Sequence, residues 1–435
     1  MLISSKINNG LHGCVNIPGD KSISHRSIII PSISKGISEI SNLLMSDDIL
    51  HTINAMKAMG VKINIFEDKI IIHGNGLNSL KKPLKDIYLG NSGTGARLLT
   101  GLLSAQNFKS ALIGDESLSS RPIKRITTPI ELMGGKFEYN NGTLPLHIFG
   151  KELKPISYKI PIPSSQVKSG IILAALNTKG QTTINETSIT RDHTEIMLKS
   201  FGANIKIKKE SDMNSIFING KKELTSKNIY VPCDLSSSSF FIVAAMINKN
   251  SNLKLQNINI NPTRDGILHA LKLMGGNITI SNQRLINDEI IGDIEVQSSH
   301  LKGCELNEDM SKLMIDEYPI LSVAASFAKT PSLFKGLKEL KVKESDRLEL
   351  IRFNLNQCGI TCEVLNDNLF IDPRKKNKIK NNKIKTSFDH RIAMAFAIMG
   401  SKLDHDLQIS NSNCINTSFP NFIKSFNKIG GNLIE

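Results

Sequence analysis

The sequence predicts an α/β protein of two domains, each built from three copies of a repeated unit. The first observation is a short pattern that occurs six times: an apolar residue, a glycine, and then a β-like run. Its glycines are 68 to 84 residues apart along the chain: Gly60, Gly134, Gly202, Gly275, Gly359 and Gly430. The second observation is a set of apolar helices that follow polar turns. The third is a pair of similar segments, beginning at Ile17 and Val231, that divides the six copies into two groups of three.

Each repeated glycine ends a helix and precedes a strand. The residues before it show helical periodicity, as in HTINAMKAMG, and those after it alternate, as in VKINIF. Glycine adopts the left-handed conformation at a helix C-terminus at little cost. Each unit is therefore predicted to end as helix, glycine and strand.

A second helix opens each unit after a polar turn. Its residues are apolar or small on nearly every face, which is typical of a buried helix. The openings are GDKSISHRSIIIPSI, NSGTGARLLTGLLSA, SSQVKSGIILAALN, DLSSSSFFIVAAMI, DEYPILSVAASFA and DHRIAMAFAIMG. Each unit is thus expected to contain two helices and several strands.

The domain boundaries are predicted at two similar turns that contain proline, IPGDKS from Ile17 and VPCDLS from Val231. We expect residues 1–18 and 234–435 to form the first α/β domain and residues 19–233 to form the second. The strand before the first turn is expected to pair with the C-terminal half.

Composition favours a globular protein of the cytoplasm. Hydrophobic residues make up 40% and charged residues 22% of the chain, and the N-terminus shows no secretory pattern. The apolar stretches are too short to cross a bilayer. The six cysteines show neither zinc-binding nor redox spacing, so we expect buried reduced thiols.

The formal net charge of +14 is compatible with a nucleic acid, a membrane surface or small anionic substrates. The densest basic run, Pro373 to Lys385, contains no aromatic residue that could stack on bases, and the chain has no tryptophan. We therefore interpret this run as a solvated loop.

The helix openings of the first half carry groups that bind anions. Lys21, Ser22 and Arg26 lie in GDKSISHR, where a helix N-terminus would favour phosphate or carboxylate, although a simple helix cap explains them equally well. The glycine-rich turn GNSGTGAR is not a Walker loop. Other candidates could equally be solvated or capping residues: Arg121, Lys124, Arg125, Ser164, Ser165 and Gln166.

The openings of the second half add carboxylates. The candidates are Asp316, Glu317, Lys343, Glu344, Arg347, Asp389, His390 and Arg391. Each alone could be a solvated charge. Five of the six openings carry such groups, and parallel packing within each half would direct the helix N-termini at one cleft. A cleft of this kind suits substrates with several phosphates and carboxylates, and carboxylates beside lysines support proton transfer. No metal site or activated nucleophile is evident.

The sequence resembles the family of 3-phosphoshikimate 1-carboxyvinyltransferases (5-enolpyruvylshikimate-3-phosphate synthases) over nearly its whole length. LGNSGTGAR and VKESDRL are the most specific motifs, and they occur in the family's order. GDESLSSRP, TRDHTEIML, MIDEYPIL and SFDHRIAM are similar to the bacterial class II branch. The resemblance implies two inside-out α/β domains, each of three βαββαβ repeats, with the active site in the interdomain cleft.

The resemblance also implies specific site residues. Those expected to bind shikimate-3-phosphate are Lys21, Ser22, Arg26, Ser164, Ser165, Gln166, Arg191, Asp316 and Lys343. Those expected to bind phosphoenolpyruvate are Lys21, Gly93, Arg121, Gln166, Arg347 and Arg391. Asp316 is the candidate base for the 5-hydroxyl, and Glu344 with Lys21 is the candidate acid for C3 of phosphoenolpyruvate. No cofactor or metal is implied. We expect a monomer that binds these small molecules and neither nucleic acid nor membrane.

Two positions bear on how far the resemblance extends. Class I members carry a lysine before the late Phe-Pro motif, whereas this chain has Thr417 there, as expected for class II. Some class II members tolerate glyphosate because alanine replaces a loop glycine. This chain retains Gly93, which predicts sensitivity to glyphosate.

Three alternatives remain from the sequence. The first is the sister enzyme that uses UDP-N-acetylglucosamine, but its loop cysteine is absent from the segment Gly114–Pro122. The second is a nucleic-acid-binding or RNA-end-processing protein, motivated by the net charge; such binding should weaken steeply with salt. The third is an inactive relative.

Overall fold

A computed structural model describes residues 1–209 and 213–435. The described chain separates into two compact units. Unit 1 comprises Met1–Pro18, Cys233–Arg284 and Ile290–Glu435, and unit 2 comprises Gly19–Pro232 and Leu285–Glu289.

Helices occur throughout both units. The α-helices are α1 Lys21–Ser32, α2 Asp47–Ala58, α3 Gly93–Ser104, α4 Glu116–Ser119, α5 Lys124–Leu132, α6 Ser165–Leu176, α7 His193–Ser200, α8 Leu235–Ile247, α9 Gly266–Leu273, α10 Glu308–Met314, α11 Tyr318–Ser326, α12 Arg347–Gln357, α13 His390–Gly400 and α14 Phe422–Lys428. Short 3₁₀ helices span Lys338–Val342 and Ser412–Thr417.

The strands are short and alternate with the helices. They are β1 Leu2–Ser4, β2 His12–Val15, β3 Lys35–Ser41, β4 Lys62–Ile65, β5 Lys69–Asn75, β6 Ile87–Tyr88, β7 Lys109–Ile113, β8 Lys136–Tyr139, β9 Leu146–Phe149, β10 Ser157–Lys159, β11 Gln181–Glu186, β12 Asn204–Lys209, β13 Asn214–Asn219, β14 Ile229–Tyr230, β15 Asn252–Asn259, β16 Asn277–Ile286, β17 Glu289–Gln297, β18 Glu305–Leu306, β19 Ser332–Phe334, β20 Ile360–Leu365, β21 Asn368–Lys376, β22 Lys383–Ile384, β23 Leu407–Ile409 and β24 Leu433–Ile434.

Within residues 1–209 and 213–435, these strands form six four-stranded sheets, one for each repeat. In the sheet β6-β7-β9-β8, the edge strand β6 is parallel to β7 and the other pairs are antiparallel. Apart from the one-turn helix α4, the element order in this repeat is β6, α3, β7, α5, β8 and β9. This order is βαβαββ and differs from the βαββαβ order that the resemblance implied, because the second long helix, α5, follows β7 and precedes both β8 and β9. The α/β class itself is confirmed.

Strands at both ends of the chain complete sheets whose other strands come from distant segments. β1 pairs antiparallel with β23 and β24, and β2 pairs parallel with β15. The predicted pairing of the N-terminal strand with the C-terminal half is therefore confirmed. In unit 2, β14 returns to pair parallel with β3.

The six repeated glycines all have the left-handed backbone that the sequence pattern predicts. Their φ values lie between 81° and 105°, which a residue with a Cβ atom adopts only with strain. Each follows a helix and precedes a strand, as in Gly60 between α2 and β4. This prediction is confirmed for all six copies.

Each unit has its own hydrophobic core, formed largely by the helices that open the repeats. Every residue of α8, α11 and α13 is buried, as expected for helices that are apolar on nearly all faces. Burial of the opening helices leaves their N-terminal turns as the places where polar side chains collect.

Two predictions about surface features are wrong in part. Cys14 is exposed and Cys304 is half-buried, although the other four cysteines are buried and all six are free. The basic run from Pro373 is not one loop, because it includes the end of β21 and all of β22, in which Ile384 is buried. Among the described residues, no helix has the length and apolar character needed to span a membrane.

Candidate functional site

Unit 2 places most of its predicted site residues at the starts of three buried helices, whereas Arg121 follows α4 and Arg191 precedes α7. The N-terminal turns are closed by side-chain caps, in which Asp20 accepts from the Ile23 N–H of α1 at 2.9 Å and Ser92 accepts from the Gly95 N–H of α3 at 3.1 Å. Ser164 caps α6 and so precedes Ser165 and Gln166. We call the residues Lys21, Ser22, Arg26, Gly93, Arg121, Ser164, Ser165, Gln166 and Arg191 the unit 2 cluster.

Arg26 is almost fully buried and is held by neutral groups. Its Nε donates to Thr194 Oγ1 at 2.6 Å, Nη2 donates to Ser169 Oγ at 2.7 Å, and Nη1 donates to the Ser22 carbonyl at 2.7 Å. Burial lowers the pKa of Arg26 to about 10, against the opposing charge of Glu195. The guanidinium remains cationic at neutral pH and is rigidly oriented from three sides.

Lys21 lies in the first turn of α1 and forms a salt bridge of 2.5 Å with Asp48 of α2. Asp48 is buried, and the sequence analysis did not single it out. The cue was available in SDDIL, where two acidic residues open a helix. The pair fixes the direction of the lysine side chain.

The glycine-rich turn is held near two arginines and the opening of α6. Gln166 Nε2 donates to Thr94 Oγ1 at 2.9 Å, which links the first turns of α6 and α3. Arg121 donates to Ser117 Oγ at 2.9 Å and to the side chain of Asn91. A Cβ atom on Gly93 would lie 3.2 Å from Arg121 Nη1, so the backbone at Gly93 approaches this guanidinium closely.

The buried side chain of His25 connects the first turns of α1 and α3. Its Nδ1 lies 2.8 Å from Thr52 Oγ1, and its Nε2 lies 3.5 Å from Ser92 Oγ, the cap of α3. Burial, reinforced by the positive charges of Lys21 and Arg26, holds the pKa of His25 well below its usual value. The imidazole is therefore neutral at physiological pH.

Arg191 directly precedes the first turn of α7. It is half-buried, and its charge is among those that lower the pKa of Arg26, so the two guanidiniums lie near each other. Two cations held close together favour a dianionic ligand such as a phosphate group.

In unit 1, the predicted residues form an ion network around Arg347, the first residue of α12. Its Nε donates to Asp389 Oδ2 at 2.8 Å, Nη1 to Asp316 Oδ1 at 3.2 Å, and Nη2 to Glu344 Oε2 at 2.5 Å. Burial alone would lower the pKa of Arg347, but the charges of the three carboxylates outweigh burial and raise it. One guanidinium thus holds both candidate proton-transfer carboxylates.

Lys343 belongs to the same network, because its Nζ lies 3.2 Å from Asp316 Oδ1. Asp316 therefore faces a lysine and an arginine on one carboxylate oxygen. We call Asp316, Lys343, Glu344, Arg347 and Arg391 the unit 1 cluster. The carboxylates Asp316 and Glu344 remain partly accessible, with side-chain exposures of 15% and 24%.

Arg391 is joined to this cluster by residues that the sequence analysis assigned no role. Its Nη1 donates to Ser236 Oγ and, at 3.2 Å, to the Asp316 carbonyl. The Ser236 hydroxyl donates to Glu317, a buried carboxylate that lies 3.7 Å from Arg391. Glu317 was noted as a candidate in IDEYP, but nothing in the sequence linked it to Ser236.

The expectation that helix openings converge within each half is confirmed by these contacts. In unit 2 they join α1, α3 and α6, and in unit 1 they join α8, α11, α12 and α13. Across residues 1–209 and 213–435, no group of three or more His, Cys, Asp or Glu side chains is suited to a metal ion. The groups present suit organic anions and proton transfer.

Comparison with known proteins identifies the family. The family model described as EPSP synthase (3-phosphoshikimate 1-carboxyvinyltransferase) matches residues 6–426. This chain belongs to that family. A relative named 3-phosphoshikimate 1-carboxyvinyltransferase from Ruthia magnifica subsp. Calyptogena magnifica is 46% identical over 429 residues, which cover 98% of each chain.

Solved structures agree with this assignment. EPSP synthase from Acinetobacter baumannii is 40% identical, with a TM-score of 0.87 and coverage of 100% of this chain and 99% of that chain. The enolpyruvyl transferase NikO from Streptomyces tendae is only 15% identical at a TM-score of 0.77, so this likeness shows the fold alone. The family assignment decides against the UDP-N-acetylglucosamine alternative and the nucleic-acid-binding alternative.

Proposed function

We propose that this chain transfers the enolpyruvyl group of phosphoenolpyruvate to the 5-hydroxyl of shikimate-3-phosphate, and releases phosphate. The observation that carries the proposal is the family match over residues 6–426. Both substrates are small polyanions, and the cationic unit 2 cluster and the unit 1 cluster have the charges that such molecules require.

The unit 2 cluster is proposed to bind most of the shikimate-3-phosphate. Ser22, Arg26, Ser164, Ser165 and Gln166 would hold the molecule, and Arg191 would contact its phosphate. The proximity of Arg26 and Arg191 supports this role, because two guanidiniums can share one phosphate dianion. Lys21 is proposed to contact both substrates.

Phosphoenolpyruvate is proposed to contact Gly93, Arg121 and Gln166 of the unit 2 cluster, and Arg347 and Arg391 of the unit 1 cluster. The close approach of Gly93 to Arg121 supports the first contact, since an anion at this point would meet both backbone and guanidinium. Fixed cations of this kind stabilise charge that develops in the transition state.

Asp316 is proposed to take the proton of the 5-hydroxyl, whose oxygen then forms a bond to C2 of phosphoenolpyruvate. Glu344, with Lys21, delivers a proton to C3, which gives a tetrahedral intermediate. Removal of a proton from C3 and cleavage of the bond between C2 and the phosphate oxygen then yield the enolpyruvyl product and inorganic phosphate. The shared hydrogen bonds of Asp316 and Glu344 to Arg347 support paired roles for these two carboxylates. Lys343, bound to Asp316, would contact the same hydroxyl.

The test is phosphate release from phosphoenolpyruvate with either shikimate-3-phosphate or UDP-N-acetylglucosamine as acceptor. Release with shikimate-3-phosphate alone is the expected result. Release only with the nucleotide sugar would refute the proposed acceptor, and folded protein without activity on either acceptor would favour the inactive-relative alternative.

We also propose that the protein acts as a monomer in the cytoplasm, as expected for an enzyme whose partners are small soluble metabolites. Sedimentation equilibrium in the presence and absence of both substrates tests the monomer. A stable dimer at assay concentrations would contradict it.

A further inference from the structure

A wholly buried ion cluster lies behind the unit 2 cluster. Lys168 of α6 is 1% exposed, and it lies between Glu186, at the end of β11, and Glu195 of α7, which are 4% and 2% exposed. Its Nζ is 3.0 Å from Glu186 Oε2 and 2.7 Å from Glu195 Oε1. Charged side chains are costly to bury even when they are paired, so a lysine in the otherwise apolar helix α6 calls for a physical reason.

Lys168 also holds the segment that leads to Arg191. The third hydrogen bond of its ammonium group goes to the Thr190 carbonyl at 3.2 Å, so all three donors have acceptors. Thr190 in turn donates from Oγ1 to Glu186 Oε1 at 2.5 Å. The turn 187–190 is therefore fastened at both ends, and Arg191 follows directly.

The same two helices, α6 and α7, also hold Arg26 through the residues next to this ion pair. Ser169 follows Lys168 and Thr194 precedes Glu195, and their hydroxyls lie 2.7 Å apart. Arg26 donates to both hydroxyls, at 2.7 Å to Ser169 and 2.6 Å to Thr194. The ion pair Lys168–Glu195 and the hydroxyl pair Ser169–Thr194 are thus two adjacent links between α6 and α7.

The charges of the buried ion cluster also affect the pKa of Arg26. Burial alone would lower the pKa of Lys168, but Glu195 and Glu186 outweigh burial and raise it. Burial raises the pKa of Glu186 against the attraction of Lys168. Glu195 is also the foremost charge that stabilises the buried cation of Arg26, so one carboxylate serves both positive groups.

We propose that Lys168, Glu186 and Glu195 are positioning residues that fix Arg26 and Arg191 for the phosphate-bearing acceptor substrate. The inference rests on the proposed function, in which both arginines bind shikimate-3-phosphate. None of the three side chains touches the substrate. They set the spacing of two guanidiniums through α6, α7 and the turn 187–190.

The test compares Glu195→Gln with the wild-type enzyme. Gln keeps the shape and can accept one hydrogen bond from Lys168, but it removes the charge opposite Arg26. The KM for shikimate-3-phosphate should rise about tenfold, whereas the KM for phosphoenolpyruvate at saturating acceptor should change less than about twofold. Calorimetric binding of shikimate-3-phosphate without phosphoenolpyruvate should weaken by the same factor as the KM.

A second pair of variants avoids any folding defect caused by a buried charge. Thr194→Val removes the acceptor for Arg26 Nε, whereas Thr194→Ser retains it. The valine variant should weaken shikimate-3-phosphate binding and the serine variant should bind like the wild type. Thr182→Val is the matched control, since Thr182 is a buried residue of β11 whose hydroxyl has no hydrogen-bond partner among the described residues.

The outcomes separate the inference from the proposed function. Wild-type enzyme that fails to use shikimate-3-phosphate would overturn the proposed function and the inference with it. An active wild type with unchanged shikimate-3-phosphate affinity in Glu195→Gln and Thr194→Val would overturn the inference alone. A rise of both KM values by the same factor would indicate a general structural defect and would also overturn it.

Discussion

The two units orient their arginines by opposite means. In unit 2, the acceptors that Arg26 contacts among the described residues are two hydroxyls and a backbone carbonyl, which carry no charge. In unit 1, Arg347 donates to three carboxylates. Both guanidiniums are nearly inaccessible, with exposures of 3% and 1%, so burial does not explain the difference.

This difference suggests that the two clusters have different roles. An arginine held by neutral groups keeps its positive charge available to an anion, which suits substrate binding. An arginine surrounded by carboxylates also fixes those carboxylates in place, which suits proton transfer beside the proposed contact of Arg347 with phosphoenolpyruvate. We therefore expect changes in unit 2 to act mainly on substrate affinity and changes among the unit 1 carboxylates to act mainly on turnover.

The largest effect is expected from the unit 1 carboxylates. Glu344→Gln cannot deliver a proton to C3, so kcat should fall roughly 10²- to 10⁴-fold with little change in either KM. Asp316→Asn should behave in the same way. Steady-state kinetics with both substrates varied provides the measurement.

The matched control is Asp309→Asn, which changes an exposed carboxylate of the same unit that pairs with Lys312 in its own helix. Its kcat should match the wild type, because exposed pairs contribute little. A Glu344→Gln enzyme with normal kcat and a raised KM would contradict the different roles of the two clusters.

The next largest effect is expected at the centre of the unit 1 network. Lys at position 347 keeps the charge but cannot donate to three carboxylates in a fixed fork. Arg347→Lys should lower kcat/KM about 100-fold and the free energy of unfolding by about 1–3 kcal/mol, because a buried carboxylate loses its hydrogen bond while the charge is kept. Activity assays and urea denaturation measure the two effects.

Arg352→Lys is the control for this prediction. Arg352 lies on the same helix, α12, but its side chain is 39% exposed and pairs with Glu349 on the surface. This variant should be close to wild type in both assays. Equal effects of the two substitutions would show that the carboxylate network has no special role.

The repeats and the helix openings were predictable because they depend on local physics. The six glycines need positive φ, and small apolar helices with polar first turns must be buried with those turns at an edge. The residues that hold the site side chains in place were not predictable in the same way. Asp48, Ser236 and Thr194 are linked to site residues only through contacts between segments distant in the chain.

Lys168 is the exception among the residues that the sequence analysis missed. A single lysine in the apolar run SSQVKSGIILAAL is almost never buried unless it is paired, so its position alone indicated hidden carboxylate partners. Its partners Glu186 and Glu195 were not identifiable, because β11 and α7 are brought to α6 only by the fold.

A smaller effect is expected at Gly93 of unit 2. A Cβ atom would lie 2.8 Å from Arg97 Nη1 and 3.2 Å from Arg121 Nη1, so Gly93→Ala must displace flexible arginine side chains. We expect the KM for phosphoenolpyruvate to rise about tenfold with a smaller change in kcat. The wild type should be inhibited by micromolar glyphosate in competition with phosphoenolpyruvate, and the variant should tolerate far more.

Gly95→Ala provides the comparison on the same helix. Its Cβ would meet Ser92 Oγ at 2.9 Å and Thr52 Oγ1 at 3.3 Å, and neither is an arginine. It should lower the thermal midpoint without altering the ratio of the glyphosate inhibition constant to the KM. Full activity of the wild type in millimolar glyphosate would refute the prediction for Gly93.

The smallest expected effect is the pH dependence that His25 of unit 2 adds to the free energy of unfolding. His25 is neutral in folded unit 2, because burial and then the charges of Lys21 and Arg26 lower its pKa, with Asp20 opposing. The unfolded chain gains a proton at this histidine as the pH falls below about 6.5, whereas the folded chain does not. Acidification therefore favours unfolding, by about 1.4 kcal/mol for each pH unit below 6.5 until the folded-state pKa is reached.

Urea denaturation of the full chain at pH 7.5 and pH 5.5 measures this contribution. His25→Gln, which can still bond to Thr52, should lose about 1.4 kcal/mol less than the wild type over this interval. His12→Gln, a change at an exposed residue of β2, should keep the wild-type loss. Identical pH dependence in His25→Gln and wild type would mean that the imidazole accepts a proton in the folded state. The link between α1 and α3 would then carry a buried positive charge that faces the hydroxyls of Thr52 and Ser92.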